Sequence, residues 1–351
     1  MEYGHGGDIY TYRDMLDFSV NINPLGPSGA VLEAAKRGVD QCFAYPDSRC
    51  RALREALAER TGIPSSCFLP GNGAAELFFS ITAAERPAEA LIPVPAFSEY
   101  EQALRASGCR MRYHYLEEKE NFRLTERILD DLTEELDMVF LCSPSNPAGQ
   151  VTGRDLLRRV IDRCRENQIR LVLDECFIEF ADQETAYYGE KEIVGNPWLF
   201  VVRAFTKMHA IPGLRLGYGI TSDLELIERM QKVRQPWNVS IPAQEAGRAA
   251  LSETEERRAE ETRDLIREER ARMEGKLTEM GIRVIPSEAN FILMHSGIDL
   301  AERLKEKGIL IRDCGNYRGL QKGWYRTAVR RPEENTRLLE ALREVIKSVE
   351  P

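Results

Sequence analysis

Three apolar runs in the middle of the chain each lead into a side chain able to do chemistry. Residues 138–142 run into Ser143-Pro144-Ser145-Asn146-Pro147, residues 169–173 into Asp174-Glu175, and residues 199–203 into Ala204-Phe205-Thr206-Lys207. Arg215 follows eight residues after the lysine. Singly, each has an ordinary explanation: an aspartate ending a strand is commonly a helix N-cap, a lone lysine a solvated charge, a Pro-Ser-Asn-Pro stretch a turn. Together they match what pyridoxal 5'-phosphate requires, which is an amine for a Schiff base, a carboxylate against the pyridinium nitrogen, a donor to the phenolic oxygen and an anion clamp. Lys207 supplies the amine, its pKa expected to be lowered by partial burial beside cations. Asp174 keeps the ring nitrogen protonated, Asn146 donates to the phenolic oxygen, and Arg215 and Thr206 reach the phosphate. The turn Gly71-Asn72-Gly73-Ala74-Ala75-Glu76, opening a helical stretch over 75–84, completes the cradle. Glycine lets the backbone close in there, and free N–H groups at a helix start favour an anion.

The elements that must position these groups are legible as an alternation. Residues 90–94, 138–142, 169–173, 199–203 and 215–220 read as strands, and 98–107, 154–167 and 223–234 as helices between them. Strands this apolar with helical spacers indicate βαβ units and a mainly parallel sheet covered on both faces. In such sheets the ligand sits beyond the C-terminal strand ends. The texture changes near Pro242. Residues 253–280 form a charge-rich helix, with Glu253/Arg257 and Glu268/Arg272 at i,i+4 and Ala259, Thr262, Ile266, Met273, Leu277 and Met280 on one stripe. Short strands (283–285, 291–294, 309–312, 325–329) then alternate with helices (299–307, 333–348) in a compact α+β unit.

Composition narrows the class. The 351 residues carry 57 acidic and 48 basic side chains, a net charge of −9, which disfavours nucleic acid as the main partner. That length exceeds one core of the usual ~100–150 residues, so two units are expected. No stretch approaches the ~18 consecutive apolar residues of a membrane span. The first residues lack a basic region followed by an apolar one, so no secretory signal is expected. Eight cysteines without a C-x-x-C pair, and four histidines never two to five apart, suit a reducing cytoplasm and no metal site.

With these residues in place, the chain resembles the fold-type I aminotransferase superfamily, more closely its histidinol-phosphate aminotransferase branch, and within that the threonine-phosphate decarboxylases of cobalamin biosynthesis. The resemblance runs nearly end to end. It is carried by His5-Gly6-Gly7-Asp8, residues 17–26, Tyr45-Pro46-Asp47, residues 95–100 and 210–218, Ile311-Arg312, Asn316-Tyr317 and residues 325–330. It implies an aspartate aminotransferase-like α/β fold, a large domain with a mainly parallel sheet plus a small α+β domain. Residues 1–30 become an arm over the active site, 42–245 the large pyridoxal-phosphate-binding domain, and 31–41 with 246–351 the small domain. Gly73, Ala74 and Ala75 line the phosphate cradle, Phe97 stacks on the cofactor ring, and Tyr45 reaches the cofactor phosphate of a neighbouring subunit, which makes the active unit a homodimer with shared sites. Arg326 holds a substrate carboxylate or phosphate with Arg312 beside it, His5 contacts the substrate phosphate, and Asn23 lines the substrate pocket.

Two positions depart from the aminotransferase pattern. Phe177 stands where that branch usually has tyrosine, as expected for the decarboxylases. Ala204 stands where a hydroxyl residue is general, so one charge-assisted hydrogen bond of ~1.5–3 kcal/mol must come from elsewhere or be absent. The implied reaction is decarboxylation of L-threonine O-3-phosphate to (R)-1-aminopropan-2-ol O-phosphate, with Lys207 returning the proton. Two other readings stand beside it. A histidinol-phosphate aminotransferase is disfavoured by Phe177 and His5-Gly6-Gly7. A non-catalytic ligand-binding regulator on the same fold is disfavoured because the catalytic fold fills the chain and leaves no room for a DNA-binding domain.

Overall fold

The computed structural model describes residues 4–182 and 188–348; the first three residues of the expected arm and the last three of the expected small domain lie outside them. The strands are β1 (Leu16–Asp17), β2 (Phe68–Gly71), β3 (Glu89–Val94), β4 (Arg110–Tyr115), β5 (Met138–Cys142), β6 (Arg170–Asp174) and β7 (Leu199–Ala204). They continue with β8 (Gly217–Ile220), β9 (Arg283–Ile285), β10 (Phe291–His295), β11 (Ile309–Leu310), β12 (Arg312–Asp313) and β13 (Trp324–Ala328). The helices are α1 (Gly29–Val39), α2 (Arg51–Thr61), α3 (Gly73–Glu85), α4 (Ser98–Ala106), α5 (Ile128–Asp131) and α6 (Arg154–Glu166). After them come α7 (Phe205–Met208), α8 (Leu224–Val233), α9 (Ile241–Ala249), α10 (Glu253–Glu279), α11 (Leu300–Lys305) and α12 (Pro332–Lys347).

Seven strands form one sheet in the order β2-β8-β7-β6-β5-β3-β4. Pairing is parallel from β7 through β4, and β8 runs antiparallel to both its neighbours. Successive side chains of a strand face opposite sides. Phe140, Val172, Phe200 and Val202 therefore join one apolar cluster, under α3, α4, α8 and α10. Leu141, Leu171, Leu173 and Val201 join the other, under α1, α2, α6 and α9. Each fully buried side chain of this size contributes about 1.5–3 kcal/mol, so both faces hold the strands that end at the rim.

A second, antiparallel sheet has the order β12-β13-β10-β9. The first apolar cluster continues into it through Ile292, Met294 and Ala328, with Leu300 of α11 and Leu338 and Leu342 of α12. The stripe on α10 is buried at Ala259, Thr262, Ile266, Met273 and Leu277. Arg272, expected to pair with Glu268, instead meets Glu269 (Nε–Oε1 2.9 Å), whose carboxylate is turned inward to accept from Asn335 as well.

Two further expectations change. The run 309–312 is not one strand: β11 pairs in parallel with β1, while β12 joins β13 in the second sheet. Arg215 precedes β8 in a left-handed conformation (φ 57°) rather than starting the strand. Residues 31–41 lie largely in α1, which packs along α9. A Cβ on Gly38 would come within 2.6 Å of the Pro242 Cα, so the two helices touch backbone to backbone. Val31 and Ala35 share the apolar cluster of Leu53 and Leu173. Among the described residues, no helix is long and apolar enough to cross a membrane.

Candidate active site

Strand register sets the rim. Cys142 is level with Asp174, Asp174 with Val202, and Ala204 with Gly217, which also faces Gly71. Residues just beyond these positions meet over the C-terminal edge of β5, β6 and β7. They surround a cavity of about 320 Å³ walled by Asn146, Asp174, Thr206, Lys207 and Arg215, by Ala74 and Ala75 at the start of α3, and by Phe97 just before α4. His5 from the N-terminal arm and Arg312 and Arg326 from the second sheet close it.

Asp174 ends β6 with both carboxylate oxygens engaged. Oδ1 accepts the Cys176 N–H at 2.9 Å, and Oδ2 accepts the Tyr100 hydroxyl. Burial pushes its carboxyl above the ordinary range, against the pull of those hydrogen bonds and of Lys207. A buried carboxylate of this kind gains most from a cationic N–H partner. Glu175, the next residue, faces the other side of the sheet and is bound to Arg203 (Nη2–Oε2 2.8 Å), so its charge stays out of the cavity.

Lys207 lies in the single turn of α7. Desolvation lowers its pKa; Arg326 and Arg215 push the same way, while Cys176 and Asp174 oppose them. The amine is thereby biased toward its neutral, nucleophilic form. Its Nζ lies 5.4 Å from the ring centroid of Phe177, which packs edge-on against Phe291 and shows the cavity no hydroxyl.

The anion cradle depends on one glycine. Gly73 has φ +76°, and a Cβ there would lie 2.6 Å from Arg215 Nη2. Glycine therefore lets the guanidinium reach the N-terminus of α3, where no side chain caps the first turn. The free N–H groups, Arg215 and the Thr206 hydroxyl gather at one end of the cavity, where Ala204 adds no donor. This donor set, with the carboxylate, the amide and the amine beside it, fits pyridoxal phosphate.

In the second sheet, register places Arg312 directly across from Arg326 on β13. Arg326 is buried; its Nη2 donates to the Ser19 carbonyl at 3.1 Å and its Nη1 to Asn146 Oδ1. That second bond fixes the Asn146 amide, leaving Nδ2 as the group free to donate elsewhere. Arg312 Nη2 donates to the Gly4 carbonyl and to Asn316 Oδ1 (2.9 Å). The arm lies flat because of its glycines: a Cβ on Gly6 would come within 2.4 Å of the Ser19 carbonyl oxygen, and the Gly7 N–H donates to Ser19 Oγ at 2.7 Å. His5 Nε2 then stands 3.7 Å from Glu99 Oε1, whose carboxyl is pushed up by burial and pulled back by His5.

One residue expected in the pocket lies elsewhere. Asn23 is buried away from the cavity, donating to the Met208 carbonyl and to Thr262. Asn21 stands in the cavity wall instead, its Oδ1 buried without a partner. Tyr45 is on the surface, 78% exposed and stacked on Trp237 at 4.6 Å. Sequence reasoning also missed Tyr100, Glu99 and Tyr317. Each sits within or beside a segment that carried the resemblance, but Tyr100 reads there as an ordinary core residue of α4.

Comparison with known proteins matches this geometry. Residues 13–342 match the aminotransferase class I and II family. The chain is 40% identical to the threonine-phosphate decarboxylase of Salmonella typhimurium, over 99% of this chain and 98% of that one. It is similar to the crystal structure of histidinol-phosphate aminotransferase from Clostridium acetobutylicum (TM-score 0.88, 31% identity, 95% of this chain and 100% of that one). It is also similar to that of L-threonine-O-3-phosphate decarboxylase from Porphyromonas gingivalis (TM-score 0.81, 25% identity, 95% and 100%).

Proposed function

We propose, on the premise that this chain belongs to the class I and II aminotransferase family, that it is a pyridoxal-phosphate-dependent carboxy-lyase converting L-threonine O-3-phosphate to (R)-1-aminopropan-2-ol O-phosphate and carbon dioxide. The observation that carries this reading is a second set of cations in the cavity wall, supplied by the second sheet and the N-terminal segment. Arg312 and Arg326 face each other across one strand pair, with His5 also in the cavity wall. An acidic protein that places these side chains in one cavity with a separate phosphate cradle suits a small substrate with two anionic groups of its own.

In this reading Arg215, Thr206 and the N–H groups of Ala74 and Ala75 hold the cofactor phosphate. Asp174 faces the ring nitrogen, Asn146 Nδ2 the phenolic oxygen, and Phe97 the ring. When bound, pyridoxal phosphate supplies the conjugated, protonated ring that accepts the electron pair released at the substrate Cα. Arg312 and Arg326 hold the substrate carboxylate and phosphate between them, with His5 on the phosphate. The arm over the cavity excludes water. Cleavage of the bond from Cα to the carboxylate releases carbon dioxide, and Lys207 returns one proton to Cα. Phe177, in place of a phenol, leaves Asn146 as the main donor to the phenolic oxygen.

We also read the protein as a cytoplasmic enzyme that serves cobalamin biosynthesis as a homodimer, with Tyr45 reaching the cofactor phosphate of the neighbouring subunit. Exposed Phe43, Tyr45 and Trp237 support that surface as an interface. Residues 1–30 act as the arm, 42–245 as the larger unit, and 31–41 with 246–351 as the smaller. The test is to incubate the purified holoenzyme with O-phospho-L-threonine. Carbon dioxide released without a 2-oxo acid acceptor supports the proposal. Turnover that requires such an acceptor replaces it with a histidinol-phosphate-type aminotransferase, and binding without turnover replaces it with a regulator.

A further inference from the structure

We propose that Asn23 is a positioning residue for Lys207, fastening the turn that carries the amine to α10 and to the chain segment that holds Arg326. The proposal rests on the assignment of Lys207 as the cofactor-bearing amine. A helix of one turn, as α7 is, cannot fix its own orientation: its Lys207 carbonyl meets only the His209 and Ala210 N–H groups just beyond its end, and these belong to the same turn of chain. Asn23 supplies partners from outside. Its N–H donates to the Lys207 carbonyl at 3.1 Å, and its Nδ2 donates to the Met208 carbonyl at 2.8 Å. The same Nδ2 donates to Thr262 Oγ1 at 2.9 Å, and that hydroxyl donates in turn to the Arg258 carbonyl on α10. The Asn23 Oδ1 is held by the Leu25 N–H at 2.9 Å, so the amide cannot rotate freely. Asn23 is 4% exposed and Thr262 fully buried.

The other end of the segment is tied to the second sheet. The Phe18 N–H donates to the Leu310 carbonyl, its own carbonyl accepts the Ala328 N–H, and the Ser19 carbonyl accepts from Arg326. Only three residues (Val20, Asn21 and Ile22) then separate the group that grips Arg326 from the group that grips the Lys207 turn. Anion binding at Arg326 and the placement of the amine are thus linked through one short, anchored stretch. A displacement of the amine by about 1 Å can cost on the order of 100-fold in rate, so the clamp acts on turnover more than on substrate affinity.

The test compares holoenzyme variants by kcat, KM for O-phospho-L-threonine, cofactor affinity and the pH midpoint of the visible band that depends on Lys207. Asn23→Ala is expected to keep cofactor affinity, because Arg215 and Thr206 are unchanged. It should lower kcat about tenfold or more with KM within about threefold. The pH midpoint should shift by about half a unit or more, since a loosened turn changes the solvation and orientation of the lysine nitrogen that the band reports. The charged and titratable groups around the amine are Asp174 and Cys176 at the end of β6, Arg215 before β8, Arg326 on β13 and Glu99 on α4, and none of these is altered. Thr262→Val should move midpoint and kcat in the same direction by less, and Thr262→Ser should restore both. An unmoved midpoint in Asn23→Ala overturns the proposal. If that variant does not fold, an unmoved midpoint in Thr262→Val does so. Lys207→Ala separates the two ideas: a band that persists there sinks the lysine assignment, whereas a band lost there but unmoved in the clamp variants sinks the role of Asn23 alone.

Discussion

Replacing Tyr100 by phenylalanine removes a single hydroxyl from a ring that is otherwise locked in place. The ring stacks on Phe140 (5.0 Å, 21°) and meets Phe78 edge-on (5.0 Å, 86°), contacts that phenylalanine keeps. What is lost is the hydrogen bond to Asp174 Oδ2, leaving that carboxylate with the Cys176 N–H. A hydrogen bond to a charged group contributes about 1.5–3 kcal/mol, against about 1 kcal/mol for a neutral pair. The sign follows from which form the hydroxyl favours. It stabilises the ionised carboxylate, whose folded-state pKa is already raised by burial, so its removal raises that pKa further. A raised carboxyl pKa means that stability is recovered as pH falls through the folded value and is lost above it. Cofactor-free Tyr100→Phe should therefore be destabilised by about 1.5–3 kcal/mol on the alkaline side of the Asp174 titration and by about 1 kcal/mol or less on the acid side. Urea denaturation of the cofactor-free protein over a series of pH values that spans the Asp174 titration, each beside the parent, reads the two values as shifts in midpoint. Equal shifts across the whole series, or none at its alkaline end, would show that Tyr100 does not carry the Asp174 charge.

Lys207→Ala should abolish the visible band of the holoenzyme, and an unchanged spectrum would reassign the amine. Arg326→Ala should raise KM for O-phospho-L-threonine by about tenfold or more, for the loss of charge-assisted bonds of ~1.5–3 kcal/mol, while bound cofactor is retained; release of the cofactor would instead move Arg326 to the cofactor phosphate. Gly73→Ala forces Arg215 aside and puts a side chain in a left-handed conformation costing about 1–2 kcal/mol. Equilibrium dialysis should then show cofactor binding weakened by about tenfold or more, and parent-like affinity would mean that the cradle does not use Arg215.

The rim was legible because β5, β6 and β7 are short apolar runs bounded by turn residues, and their parallel register alone brings Asn146, Asp174 and Lys207 together. The arm was legible as a motif but not in its roles. Residues 17–26 have neither the period of a strand nor that of a helix, so nothing local separates Asn21, which faces the cavity, from Asn23, which does not. Strand β4 (Arg110–Tyr115) escaped notice because an edge strand with basic and aromatic residues lacks a continuous apolar run. The split of residues 309–312 between two sheets is likewise a tertiary fact, since the apolar run Ile309-Leu310-Ile311 gives no sign of where its partner changes.

The reversed direction of β8 has a consequence for how this site can change. A strand parallel to β7 would need a crossover back to the far edge of the sheet before it could begin, carrying Arg215 away from Lys207. Because β8 instead starts where β7 stops, residues 205–216 form one compact return that bears both Lys207 and Arg215, the amine and the phosphate anchor proposed above. Insertions or deletions in that return would shift the two together, so reaction chemistry and cofactor grip are mechanically inseparable here. Diversification of this scaffold toward other substrates is then expected to come from the arm and the second sheet, whose side chains can vary without disturbing that loop.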